Sequence, residues 1–215
     1  GGAPLKAEDA TNFTLGVYAT VGEFDITVDY FDIDVEDRLN LSSEVELTDD
    51  DIADLIAEGV PGAGDLRRFR FFTNDFNTNT SGFDIIVSTS TDWMGGTTQW
   101  NLAYNQTKTD VTEYNTATID PQRIKQIEDT TPETRWNLSA NHSMDAWRFL
   151  ARVSFYDEWF DQFECDVFAS SCNDDILADN GAYTFDSEFV VDLEAEYEIN
   201  ASSSLLLGVN NVLDN

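Results

Sequence analysis

Residues 188–198 read Glu-Phe-Val-Val-Asp-Leu-Glu-Ala-Glu-Tyr-Glu. Phe189, Val191, Leu193, Ala195 and Tyr197 share one parity; Asp192, Glu194, Glu196 and Glu198 share the other. A β-strand sends alternate side chains to opposite faces, so this segment carries an apolar stripe on one side and four carboxylates on the other. A helix would scatter both sets around its circumference. Unpaired carboxylates are prohibitively costly to bury, so their face must meet water or charged partners. The other face must meet something apolar.

The same two-faced pattern recurs at Phe24, Ile26, Val28 and Tyr30, at Trp100, Leu102 and Tyr104, at Phe149, Ala151, Val153 and Phe155, and at Leu205, Leu207 and Val209. Two-faced strands in series fit either a β-sandwich with a wet outside or a membrane barrel with a wet inside. Connection lengths separate the two. The breaks alternate between short (20–22, 92–96, 143–146, 199–203) and long (39–68, 111–133, 161–183). Tight turns on one rim and long polar loops on the other are the form of an outer-membrane barrel, whereas sandwiches favour short connections at both ends. Tyr18, Tyr30, Trp93, Trp147 and Tyr197 lie near strand ends, where aromatic girdles form. On this reading Phe24, Ile26, Val28, Phe149, Val153, Phe189, Val191, Leu193, Leu205 and Leu207 face lipid. Asp25, Asp29, Asp192, Glu194 and Glu196 face the lumen.

Charge narrows the function. Forty-two acidic residues against 11 Lys plus Arg give a formal net charge of −31. That excludes nucleic-acid binding, which needs a basic face. No Lys, Arg or His follows Arg152, while 15 acidic residues do. No apolar run reaches the roughly 20 residues of a transmembrane helix, but barrel strands are short and half polar. No signal peptide is visible at Gly1, so the chain reads as mature or as a fragment. Cys165 and Cys172 share one acidic loop, and in an oxidising compartment they are expected to form a disulfide. The one histidine, His142, lies in a different strand region, so a metal site is not expected. Asp49, Asp50, Asp51 and Asp54, and Asn173, Asp174 and Asp175, have oxygen ligands of the kind Ca²⁺ takes but not the spacing of an EF-hand; a solvated acidic loop is the better reading. No G-x-S-x-G, phosphate-binding loop or HExxH occurs, and acids are too abundant for any pair to signal glycosidase chemistry. The expectation is a protein without enzymatic activity.

Along the chain, 11–19 and 23–38 read as a first hairpin. Apolar parity shifts at Phe31, with Ile33 and Val35 following it, which implies a bulge or exit from the lipid zone. Thr48 caps a short helix with acids in its first turn, and Gly59 and Pro61 end it. Residues 69–92 read as one long strand with a Thr/Asn-rich upper half, followed by strands at 97–110, 134–143, 147–160, 184–198 and 204–213. The set ends upward without a closing partner.

These residues resemble a known family. Pro4-Leu-Lys-Ala-Glu with Asn12-Phe-Thr-Leu-Gly is similar to the "L-K-P-E … N-(Y/F)-x-x-G" opening found in TonB-dependent outer-membrane receptors. The segment from Phe24 through Asp32-Ile-Asp-Val-Glu-Asp-Arg resembles that family's next strand. Phe71-Phe-Thr-Asn through Ser81-Gly-Phe-Asp is similar to a third, and Asp192-Leu-Glu-Ala through Leu207-Gly-Val-Asn-Asn-Val-Leu-Asp-Asn to its C-terminal hairpin. The resemblance implies an all-β, antiparallel transmembrane barrel of about 22 strands, of which residues 1–215 supply about eight from the C-terminal part. It also implies an N-terminal plug, not found in these residues, and a final strand beyond Asn215. The implied function is active uptake of a scarce nutrient, such as a ferric siderophore, cobalamin or an oligosaccharide, energised by the TonB complex through the N-terminal part. Expected partners are therefore outer-membrane lipid, the rest of the barrel and plug, and the ligand, in a Gram-negative outer membrane. Tyr156, Trp159, Phe160, Phe163 and Tyr183 are the ligand-contact candidates, because sugars and siderophore rings both stack on aromatics. The alternative is a self-contained eight-stranded barrel with a structural or adhesive role.

Overall fold

The computed structural model describes residues 4–162 and 182–214. In chain order its strands are β1 (Asp9–Val21), β2 (Phe24–Glu36), β3 (Asn40–Leu41), β4 (Val45–Glu46), β5 (Arg68–Phe69), β6 (Phe72–Thr73), β7 (Phe76–Trp93), β8 (Gly96–Tyr114), β9 (Thr134–Met144), β10 (Trp147–Tyr156), β11 (Trp159–Gln162), β12 (Ala182–Phe185), β13 (Glu188–Asn200) and β14 (Ser203–Val209). Helices α1 (Asp49–Ala57) and α2 (Pro121–Asp129) lie in connections. Among the described residues no helix is long and apolar enough to cross a membrane.

Eight strands form one antiparallel sheet in the order β1-β2-β7-β8-β9-β10-β13-β14, and β3-β6, β4-β5 and β11-β12 form short ladders of their own. β1 and β14 are the two edges, do not pair with each other, and are exposed at every residue. The self-contained eight-stranded ring is therefore not what this chain forms. The sheet is a wall segment with two open edges, and in an apolar medium each unpaired edge amide or carbonyl costs several kcal/mol.

At one end, two-residue turns close β1–β2, β7–β8, β9–β10 and β13–β14. A two-residue hairpin turn that matches strand twist needs positive φ. In the first three of these turns Gly22 (+65°), the pair Met94 (+50°) and Gly95 (+78°), and Asp145 (+52°) supply it; the β13–β14 turn has no positive φ and follows a register irregularity between Glu198 and Asn200. At the other end run the long connections 37–75, 115–133 and 157–187.

Directly opposed residues share a face. The ladder therefore carries one apolar row from Val17 through Val28 and Ile85 to Tyr104, and another from Leu102 through Leu138, Val153 and Val191. All ten residues assigned to the apolar face from the sequence lie on it. Two aromatic belts bound this face. Trp147 stacks on Phe149 (centroids 5.6 Å) and packs at a tilt against Tyr197 (4.7 Å) near the turns. Toward the long connections Phe155 packs on Trp136 (5.7 Å) and Phe189 (4.9 Å), and Tyr30 on Phe83 (5.1 Å). The eight steps from Trp147 to Phe155 span roughly 26 Å of strand, or roughly 18–21 Å of height at a 35–45° tilt. That is the scale of a barrel's apolar band. Tyr18, grouped with the girdle aromatics from its position, lies instead on the polar face, where its hydroxyl donates to Asp25 at 2.7 Å.

The parity shift at Phe31 involves no bulge: β2 pairs without interruption with both neighbours from Phe24 to Val35. Above Tyr30 the faces exchange character. Asp32 and Asp34 continue the row of Tyr30 and Val28, and Phe31, Ile33 and Val35 the opposite one, so the strand has left the apolar band. Phe31 lies across Gly82, where an added Cβ would meet its ring at 2.6 Å and the Gln106 carbonyl at 2.0 Å.

Several elements differ from the sequence reading; the strand expected over 184–198, for one, begins at Glu188. The strand expected over 69–92 begins at Phe76, after the short β5 and β6. The one expected over 147–160 ends at Tyr156, and β11 leaves the main sheet to pair with β12. Helix α2 was not anticipated at all.

Candidate functional site

The polar face is ordered in rows one residue wide. Asp25 stands opposite Ser88, then Asn101, Ser139, Arg152 and Asp192. Four residues along each strand, Asp29 stands opposite Asp84, then Asn105, Arg135, Tyr156 and Glu188. Glu194 and Glu196 share this face, so all five carboxylates singled out in the sequence fall on one side of the sheet, opposite the apolar belts.

Several of these groups are held. Asp192 is 8 % exposed; it accepts from Arg152 Nε (3.0 Å) and Nη2 (2.7 Å) and from the Asn211 amide (3.0 Å). Both guanidinium nitrogens converge on Oδ2 while the Asn211 amide takes Oδ1, so both carboxylate oxygens are engaged. Glu196 pairs with Arg148 and accepts from the Ser204 hydroxyl at 2.7 Å. Asn105 donates to Asp84 (2.7 Å) and accepts from Arg135 Nε (3.0 Å). Asp29 leans over β1, with one oxygen 2.2 Å from where a Cβ on Gly16 would sit, so a larger residue there would displace this carboxylate.

Above the sheet the long connections pack on one another. Ser42, fully buried, accepts from the Phe71 amide, and the Ser43 amide donates to the Thr118 carbonyl at 2.9 Å. The Asp120 amide donates to the Ser43 hydroxyl (2.8 Å), and Arg123 Nη2 to Asn40 (2.8 Å). Gln126 reaches Asp161 at 3.0 Å. Three connections far apart in sequence thus form one cap, in and beside which Ala63, Phe76, Ile119 and Phe160 are buried. Thr118 donates to Asp75 at 2.6 Å; its hydroxyl, then that of Thr73, holds the Asp75 carboxyl below its ordinary value of 3.8. Burial, with Arg70 beside it, lowers Arg123 from the usual arginine value.

Thr48 caps α1 as expected: its hydroxyl accepts from the Asp51 amide while Asp51 accepts from the Thr48 amide, a reciprocal capping box. The Thr48 hydroxyl holds the Asp51 carboxyl below its usual range. Asp51 is thus engaged in the helix start. Among the described residues no three acidic, histidine or cysteine side chains converge on a metal position. Asp120 caps α2, with Pro121 in its first turn, the signal by which the sequence could have disclosed it.

The aromatic candidates separate. Tyr156 is exposed on the polar face beside Arg135. Trp159 stacks on Phe185 (3.8 Å) and Tyr183 meets Phe185 edge-on (4.8 Å), both in the cap. Phe160 is 5 % exposed beneath the Lys125 ammonium, 4.5 Å from its ring centre, so it is core rather than contact surface, a correction to the sequence expectation. Phe163, Cys165, Cys172 and the 173–175 acids lie outside the described residues. The sequence reading overlooked Asp84, Asn105, Arg135, Arg148 and Arg152. Strand parity was the available signal, but their adjacency needs the register.

Residues 1–212 match the sequence model of the family described as TonB dependent receptor-like, beta-barrel. This chain belongs to that family. It is a segment of the outer-membrane β-barrel of a TonB-dependent receptor. Similar solved structures include the ferripyoverdine receptor of the Pseudomonas aeruginosa outer membrane (15 % identity, TM-score 0.59, 98 % of this chain and 24 % of that one). The FrpB iron transporter of Neisseria meningitidis (14 %, TM-score 0.63, 98 % and 28 %) and the copper transporter OprC (12 %, TM-score 0.60, 98 % and 26 %) share the same fold. At such identities these likenesses speak for the fold alone, and the chain spans about a quarter of each receptor's length. Among curated proteins nothing matches.

Proposed function

We propose that this chain is part of the wall of a TonB-dependent importer of a scarce nutrient: a ferric siderophore, cobalamin or an oligosaccharide. The polar face, with Asp25, Asp29, Asp192, Glu194 and Glu196, lines the lumen around a plug supplied by another part of the receptor. The apolar face meets lipid. The cap over 37–75, 115–133 and 157–187 is extracellular; its Trp159 and Tyr183, with Tyr156 on the wall below, are the ligand-facing aromatics. A disulfide between Cys165 and Cys172 fits an extracellular loop. The observation that carries the reading is the division of eight strands, within the apolar band, into an apolar face bounded by two aromatic belts and a carboxylate-rich face.

Iron carriage is the leading substrate class, supported by the relatives named as a ferripyoverdine receptor and an iron transporter. The test is uptake by cells with and without the full-length receptor gene, in backgrounds with and without TonB, across labelled ferric siderophores, cobalamin and oligosaccharides. The reading predicts receptor-dependent and TonB-dependent uptake of one class. Uptake unaltered by deleting the receptor across all three classes would refute it.

A further inference from the structure

Three arginines stand in the strands of the polar face, and their surroundings differ. Arg152 is bonded to Asp192, and Arg148 to Glu196. Arg135 has a neutral partner: its Nε donates to Asn105 Oδ1 at 3.0 Å. Among the described residues Nη1 and Nη2 of Arg135 have no partner, although the chain carries 42 acids. Asn105 is itself held, donating to Asp84 (2.7 Å) and exchanging hydrogen bonds with the Thr107 hydroxyl (3.1 and 3.2 Å). The wall thus fixes Nε and leaves the terminal pair of guanidinium nitrogens open.

The same row brings Tyr156 directly beside Arg135 and Asp29 directly beside Asp84. These side chains line one hollow of about 370 Å³ on the polar face, the size of a small-ligand site. The Asp29 carboxylate has no hydrogen-bond partner among the described residues, and Tyr156 is 44 % exposed. One cation with two free donors, one hydroxyl and two carboxylate acceptors therefore share a concavity.

We infer that this hollow is a binding subsite for a small polar molecule bearing a carboxylate. Arg135 takes the carboxylate side-on through Nη1 and Nη2, the geometry for which a guanidinium fork is suited. The Tyr156 hydroxyl donates to the same group, and Asp29 and Asp84 accept from the ligand's hydroxyl or amino groups. A guanidinium binds phosphate as readily. Here Asp29, Asp84 and Glu188 in the same row repel a group of nearly two negative charges more than one of a single charge, which selects the carboxylate. Asn105 is a positioning residue, since it holds Nε and touches no ligand. The inference rests on the polar face being the lumen of an importer, and it names a ligand chemistry for that lumen.

The test uses the full-length receptor in detergent and a matched pair of probes, galacturonate and galactose, which differ by a carboxylate against a hydroxymethyl group. Calorimetric titration should show saturable binding of galacturonate at least tenfold tighter than galactose. Arg135→Gln should weaken galacturonate at least tenfold, and Arg148→Gln, outside the hollow, should leave it unchanged. In parallel, phenylglyoxal should modify Arg135 at least tenfold faster than Arg148 or Arg152 by peptide mass spectrometry, and galacturonate but not galactose should slow that reaction. Equal affinity for the two sugars, or unaltered affinity in Arg135→Gln, overturns the subsite. So does slow modification of Arg135 without probe, which would mean that another part of the receptor already occupies its free nitrogens. Nutrient uptake that persists in Arg135→Gln cells while these results fail leaves the importer standing without the subsite. Absence of any receptor-dependent uptake removes the importer itself.

Discussion

Leu193→Arg is the most exacting substitution for the two-faced wall. Leu193 is 44 % exposed on the apolar face of β13, opposite Ala151 on one side and Val209 on the other. Ala151 is four residues from Trp147 and four from Phe155, so Leu193 sits at mid-height, roughly 13 Å of strand from each aromatic belt. There the long arginine side chain has its farthest reach to either interface. An arginine on the lipid face at the bilayer midplane costs about 2–4 kcal/mol, falling to about 0–1 near the interfaces. The adjacent substitution Glu194→Arg turns to the opposite face and meets no lipid, so it should change stability by less than about 0.5 kcal/mol. The assay is denaturant unfolding of the full-length receptor in lipid vesicles, comparing midpoints at constant slope. A Leu193→Arg variant as stable as wild type, or a Glu194→Arg variant as damaged as Leu193→Arg, would refute the assignment of faces.

Other consequences are local. Met94 holds φ +50° in the β7–β8 turn, a conformation that costs most L-residues about 1–2 kcal/mol and asparagine less; Met94→Asn should raise the unfolding midpoint, and a drop would count against this turn geometry. Gly82→Ala would drive a Cβ to 2.0 Å from the Gln106 carbonyl and into the Phe31 ring, so it should destabilise by about 1–3 kcal/mol, read by the same titration. Asp75 has its folded-state carboxyl held below 3.8, so its contribution is complete above that pH and is lost as pH falls further through the folded value. Limited proteolysis of the 115–120 segment should therefore accelerate below about pH 3.8, and Asp75→Asn should flatten that dependence; identical profiles would contradict the Thr118–Asp75 contact.

What the sequence disclosed follows from which contacts are local. Within the apolar band lipid imposes a period of two, so β2, β10, β13 and their faces were legible from residues such as Ile26, Val153 and Leu193. Above the band that constraint ends. The Thr/Asn-rich start of β7 carries no apolar alternation, and its boundary was misplaced by seven residues. The character of β2 inverts at Phe31 for the same reason. The cap was illegible because it is made between connections: Ser43 meets Thr118 and Asp120, and Arg123 meets Asn40. Phe160 looked like an open aromatic because composition does not report the α2 lysine above it. On the wall, single carboxylates were visible, but the row from Asp29 through Asp84, Asn105 and Arg135 to Tyr156 exists only once register is known.

The central claim is that one face of this sheet meets lipid and the other an aqueous lumen. Its most direct measurement is site-directed spin labelling of the full-length receptor in lipid vesicles, one residue at a time over 189–197, with collision rates for oxygen and for a water-soluble nickel chelate. The account predicts a period of two: labels at 189, 191, 193, 195 and 197 respond mainly to oxygen, which concentrates in lipid, and those at 192, 194 and 196 do not. A flat profile, or labels at 192, 194 and 196 giving the lipid response, would contradict it.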